Sequence, residues 1–116
     1  MHELSIAQSI VRTVSEATQD QPVREVRLRI GALAGVTKEA LLFCYGIATD
    51  GTSLASSVLV VTDVPVVIYC PACQEERELP GVQKFRCPVC DTPSGDIRQG
   101  RELQIESVVV NEYAST

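Results

Sequence analysis

The sequence predicts an α+β fold: a mixed three-stranded sheet with two helices on one face, carrying a small inserted four-cysteine module of zinc-ribbon type. Three observations carry this reading. Two stretches repeat apolar residues at three- and four-residue steps, as amphipathic helices do. Three others alternate or are dense in β-branched residues, as strands are. Four of the five cysteines stand as Cys70-x-x-Cys73 and Cys87-x-x-Cys90, thirteen residues apart. The order helix, strand, helix, strand, insertion, strand assigns residues 1–66 and 101–116 to one α/β domain and 67–100 to a metal module. A strand-helix-strand unit favours a parallel pair with right-handed crossover, which the returning strand can join antiparallel.

Leu4, Ala7, Ile10, Val11, Val14 and Ala17 share one face of the first helix, with Gln8, Arg12 and Glu16 between them, and Pro22 requires the helix to end before it. From Val23 the chain alternates, placing Val26, Leu28 and Ile30 on one side and Glu25, Arg27 and Arg29 on the other, until Gly31 closes the strand. Thr37 is the expected N-cap of a second helix of about a dozen residues, whose apolar face holds Leu41, Cys44, Tyr45 and Ala48. Asp50-Gly51 ends it in a turn. The β-branched run from Leu59 to Val67 reads as one strand that bends at Pro65 and leads into Cys70. After Cys90 comes a turn-rich stretch, and then Leu103, Ile105, Ser107 and Val109 alternate with Glu102, Gln104 and Glu106 in a final strand.

Two Cys-x-x-Cys turns at this separation deliver four thiolates to the corners of a tetrahedron around one soft cation, with Zn²⁺ the expected ion and Fe the alternative. Pro71 and Pro88, each following the first Cys of its pair, fix one backbone φ and partly pre-form the turn. Four Cys ligands close a zinc site, whereas a catalytic zinc keeps a position open for water. The expectation is a structural metal.

The 116 residues carry a net charge of −5, and between Cys70 and Arg101 the bases Arg77, Lys84, Arg86, Arg98 and Arg101 are balanced by Glu75, Glu76, Glu78, Asp91 and Asp96. Neither balance suits nucleic-acid binding by phosphate neutralisation. With no Trp, two Phe and three Tyr, the core must come from Val, Ile, Leu and Ala, and a metal that binds only the folded module adds to its stability. No apolar run approaches membrane-spanning length, no base precedes Arg12, and unpaired cysteines suit a reducing compartment, so a cytoplasmic location is expected.

The single histidine, His2, follows the initiator residue. A free Met1 amine, the His2 backbone nitrogen and the imidazole Nδ1 can close a five- and a six-membered chelate ring, and nitrogen donors held in a plane suit Ni(II) or Cu(II). The fourth position is left to the Glu3 backbone, the Glu3 carboxylate, water or a partner's donor. On the chemistry of the residues alone, a frayed terminus with Glu3 complementing the helix dipole is the competing reading.

Met1-His2-Glu3-Leu4 at the start, Arg29-Ile30-Gly31 at the end of the first strand, the paired Cys-Pro-x-Cys turns, and Gly100-Arg101-Glu102-Leu103 before the last strand together resemble the HypA/HybF family, nickel-insertion accessory proteins of [NiFe]-hydrogenase maturation. The resemblance runs over nearly the whole chain. It implies a nickel metallochaperone and not an enzyme, with Ni(II) as cargo at Met1, His2 and Glu3, and structural Zn(II) at Cys70, Cys73, Cys87 and Cys90. It also implies the GTPase HypB and the hydrogenase large subunit as partners, and leaves homodimer formation open. Some relatives add histidines near the zinc module, and this chain has none.

Cys44 reads as a small hydrophobe on a helix face, Glu75-Glu76-Arg77-Glu78 as a solvated hairpin arm, and Arg27 and Arg29 as water-facing. With the sole histidine at the terminus, no Ser-His-Asp or Cys-His arrangement is evident. Two other functions use the same cysteines: a rubredoxin-like iron electron carrier, and a zinc-ribbon protein-interaction module. Protein expressed with supplemental iron distinguishes the first: a red product with thiolate-to-iron absorption marks the electron carrier, and a colourless one the zinc form.

Overall fold

In the computed structural model, residues 2–111 are described, and they order as α1 (Glu3–Thr18), β1 (Val23–Gly31), α2 (Lys38–Thr49), β2 (Val58–Val64), β3 (Val67–Cys70), β4 (Glu75–Glu78), β5 (Ile97–Gln99) and β6 (Leu103–Val110). The strands form a mixed sheet in the order β2-β1-β6 and a second sheet in the order β4-β3-β5. The chain divides into two compact units, one of residues 1–28, 36–61 and 105–116, the other of residues 29–35 and 62–104.

In the first unit α1 packs against α2. Ala7, Ile10 and Val14 of α1 and Leu41, Tyr45 and Thr49 of α2 are buried, each set one helical turn apart. With Val23, Val26, Leu28, Leu54 and Leu59 they make an aliphatic core. The helix ends are satisfied economically. Gln19 turns left-handed (φ 55°) and Asp20 N–H reaches back to Ser15 O at 2.9 Å, the six-to-one bond of a Schellman ending. Thr49, buried with a polar hydroxyl, donates to Tyr45 O at 2.8 Å. Cys44 is half-buried on the apolar side of α2, whereas Leu42, Phe43 and Ile47 face outward.

The second unit is built on a β3-β4 hairpin, antiparallel with Ile68 opposite Arg77, and on β5, antiparallel to the other edge of β3. Val66, Ile68 and Leu79 form its buried centre, with Leu33, Phe85 and Ile97 packed around them. Arg98 ties the three strands on the outer side: its guanidinium forks onto Asp96 at 2.8 and 2.9 Å, stands 3.7 Å from Glu76, and lies 4.6 Å over the Tyr69 ring.

Two motifs quoted for the family resemblance meet in this unit. Gly31 N–H donates to Glu102 O and Leu33 N–H to Gly100 O, both at 2.7 Å. Glu102 bends back so that its carboxylate accepts from Gly100 N–H at 2.8 Å. The backbones approach so closely that a Cβ on Gly31 would stand 2.1 Å from Gly100 O, and Gly100 itself has φ +127°.

Three sequence expectations are corrected here. The run ending at Val67 is two strands, β2 and β3, in different sheets, because Pro65 offers no N–H to a ladder and the chain changes partners there. β5 lies between the turn-rich stretch and the final strand, where the sequence predicts no element, since three residues carry too little periodicity to register. In β6 the expected alternation does not govern burial: Leu103 is exposed and the run Val108 to Val110 is partly buried throughout, as befits an edge strand with no continuous covered face.

Gly31→Ala is expected to destabilise the fold by more than about 3 kcal/mol, because backbone and not a pliable side chain must move. Chemical denaturation of the variant beside wild type measures it.

Candidate metal centre

Cys70 ends β3, and the chain reverses at once through Pro71 and Ala72 to Cys73 before entering β4. Cys73 N–H points at Cys70 Sγ (3.4 Å), and Gln74, at φ 58°, donates its N–H to Cys70 O at 2.8 Å. The second turn closes in the same way, with one amide more. Cys90 N–H and Val89 N–H point at Cys87 Sγ (3.5 and 3.4 Å), and Asp91, at φ 63°, donates to Cys87 O at 2.8 Å. In the second turn the two amides favour the Cys87 sulfur as thiolate.

The structure brings the four sulfurs within 4.8 Å of one another. Cys70 and Cys90 Sγ are 3.5 Å apart and Cys73 and Cys87 Sγ 3.9 Å, too far for disulfides. A tetrahedron with metal-sulfur bonds of ~2.3 Å has edges of ~3.8 Å, so the spacing fits one Zn²⁺-sized soft cation held by four thiolates. Cys70 and Cys87 are buried, Cys73 is half-buried and Cys90 is exposed. The Arg77 guanidinium beside the Cys73 thiol favours its ionisation, but the Cys90 thiol, desolvation and the other two thiols outweigh it and push Cys73 up to about 11. Burial opposes ionisation of Cys87, yet the amides of Cys90 and Val89 and the neighbouring thiols bring it down to about 6. The Thr92 hydroxyl and amide hold Cys90 below its ordinary value. Thiolates at this distance repel one another, and a cation among them relieves the repulsion.

Beside the second turn lies an open groove of about 660 Å³ lined by Pro80, Val82, Lys84, Pro88 and Val89, among others. Val89 is 68% exposed, so the module shows apolar surface next to its cysteines.

At the other candidate site, Met1 lies outside the described residues. His2 is exposed and occupies the N-cap of α1 with extended backbone (φ −90°, ψ 98°), and its carbonyl accepts from Ile6 N–H at 3.2 Å. The helix therefore uses the His2 carbonyl and makes no demand on the His2 nitrogen. Glu3 does something the sequence did not announce. Its carboxylate accepts the backbone N–H of Thr37, 34 positions on, at 3.1 Å. Thr37 is the N-cap of α2 without a side-chain cap bond of its own, so a residue of α1 covers the end of α2. Helical periodicity marked both helix starts but carried no information that they adjoin.

A closed four-thiolate cluster on an α+β scaffold defines a metal-binding protein. The chain belongs to the HypA family: the family model described as hydrogenase/urease nickel incorporation, metallochaperone, hypA matches residues 1–110. It is 50% identical over 108 residues to the hydrogenase maturation factor HypA of Chloroflexus aurantiacus, covering 90% of this chain and 95% of that one. It is 40% identical to the HypA of a Roseiflexus species over 93% and 90% of the two chains. The solution structure of the Ni metallochaperone HypA from Helicobacter pylori shares the fold, with a TM-score of 0.63 at 19% identity over 95% of this chain and 97% of that one.

The Thr37 bond holds the Glu3 carboxyl below its ordinary value near 4.5. A depressed acid contributes its stabilisation fully above the ordinary value and loses it as pH falls through the lower, folded one. The Thr37 amide proton resonance is accordingly expected to titrate below pH 4.5. In Glu3→Ala that titration disappears, which a nitrogen-proton correlation series records.

Proposed function

We propose that this chain is a non-enzymatic cytoplasmic metallochaperone that carries Ni(II) at its N-terminus and delivers it during maturation of the [NiFe]-hydrogenase large subunit, with Zn(II) in the four-cysteine site as a structural ion. The observation that supports the reading is a cysteine cluster that closes on itself in a chain of the HypA family. Four mutually adjacent sulfurs complete a tetrahedron and leave no position for exchange. That makes the cysteine cluster a poor carrier site and a good structural one.

The terminus has the opposite character. His2 is exposed, and its backbone nitrogen stands at the start of α1, outside the helix's own bonding. In a chain that starts at Met1, the amine, the His2 amide nitrogen and the imidazole Nδ1 supply three in-plane nitrogens for nickel. An amide nitrogen that gives up its proton becomes anionic, and the positive end of the helix dipole stabilises it there. With the Glu3 carboxylate committed to Thr37, the fourth position falls to the Glu3 backbone or to an exchangeable donor, water or a partner's side chain. Glu3 then serves nickel by fixing where the terminus begins. An exchangeable position is what release to an acceptor needs.

HypB is the proposed nucleotide-hydrolysing partner, and the exposed apolar groove beside Val82 and Val89 supports the four-cysteine module as the docking element. Among the described residues no helix is long and apolar enough to cross a membrane.

One extra residue before Met1 tests the nickel site, because it turns the amine into an amide while leaving His2 in place. Calorimetric titration is expected to show nickel binding lost in the extended chain, and unchanged affinity removes the chelate. Protons compete for the same nitrogens, so affinity in the native chain should fall between about pH 8 and about 5.5.

A further inference from the structure

The four-cysteine unit contains one polar group for which the chain supplies no ordinary partner. Arg77 Nε is sealed from solvent and, among the described residues, makes no hydrogen bond of normal geometry. Such orphans are rare in folded proteins and cost more when the group is charged. Nη2 reaches the Glu75 carboxylate, a solvent-facing pair at 3.1 Å. Arg77 lies within reach of Cys73 and Cys87, one ligand from each turn. The strand puts it there: β4 leaves the first turn at Glu75 and pairs Arg77 with Ile68, next to the turn and above the buried centre.

We propose that Arg77 is a positioning residue of the metal site, its guanidinium donating to the Cys73 and Cys87 thiolates and so tying the two turns together across the bound dication. Neutral thiols are weak acceptors, and Nε lacks a partner beside them; thiolates are strong ones. Four thiolates and one dication sum to −2, and two of the sulfurs belong to buried residues. A guanidinium against the cluster halves that charge where water cannot. Donation to sulfur also withdraws electron density from it, which opposes the protonation that begins metal loss in acid. The simpler alternative is that Arg77 serves only its pair with Glu75. An exposed pair of that kind contributes little, and it leaves the buried Nε unexplained.

This inference rests on the four-cysteine metal reading, and the experiment separates the two. Full-length wild type, Arg77→Met, Arg77→Lys and Glu75→Gln are loaded with zinc and titrated with a competing chromophoric chelator, and the cobalt-substituted forms are scanned for thiolate-to-metal charge transfer. Arg77→Met, which keeps the aliphatic stem, is expected to bind zinc about 10- to 100-fold more weakly. It should also release zinc at higher pH and shift the cobalt band to lower energy, because undonated thiolates are easier to oxidise. Arg77→Lys recovers part of each change, and Glu75→Gln matches wild type. Wild-type affinity and an unmoved band in Arg77→Met, or equal losses in Glu75→Gln, overturn the proposal. If Arg77→Met fails to fold, an unmoved band with wild-type affinity in Arg77→Lys overturns it instead. A wild-type chain that takes up no zinc overturns the metal reading itself.

Discussion

Four sulfurs that lie within 4.8 Å of one another set the terms for the whole second unit. As thiols they are a polar cluster with few acceptors; as thiolates they repel, and only a cation at their centre reconciles burial with charge. The surrounding core is small, centred on Val66, Ile68 and Leu79 with Leu33, Phe85 and Ile97 packed around them. A unit of that size depends on cross-links for stability, and a metal that binds only the folded arrangement supplies them. The matched backbone of the two turns is the local expression of this demand. Gln74 and Asp91 both accept a left-handed conformation that most residues avoid, because it lets each turn close on its own sulfur.

On the function proposed above, the same closure explains why cargo would belong elsewhere. Tight spacing and a complete coordination set suit an ion that stays, and a terminal chelate with an exchangeable position would suit one that leaves. The two sites differ in their connection to the fold. Cysteine ligands are carried on strand ends and amide-bonded turns. His2 is held by one carbonyl at a helix start, with Glu3 anchored to Thr37 beside it. A delivery site gains from being accessible and locally supported without being enclosed.

Close backbone approach is the second constraint on the fold. Gly31 stands where any side chain would collide with main chain, Gly100 holds a backbone conformation that other residues rarely adopt, and Glu102 secures the junction by accepting from Gly100 N–H. This gives a physical reason for the sequence motifs Arg29-Ile30-Gly31 and Gly100-Arg101-Glu102-Leu103 that marked the family resemblance. They are parts of one contact, written 69 positions apart.

Periodicity and spacing made both helices, β1 and the cysteine turns legible, because each rests on local rules: a 3.6-residue repeat, alternation, Pro and Gly as punctuation, and two ligands per turn. His2 as the sole imidazole was equally plain. What only the tertiary structure decided depends on residues distant in sequence. It split the run around Pro65 between two sheets, found a partner for the three residues of β5, set Glu3 on the far helix and placed Arg77 against two cysteines. The arginine was visible in the sequence as one charge in an apparently solvated arm. Strand pairing set Arg77 opposite Ile68 and buried one of its nitrogens, and no local pattern encodes which way a short hairpin turns.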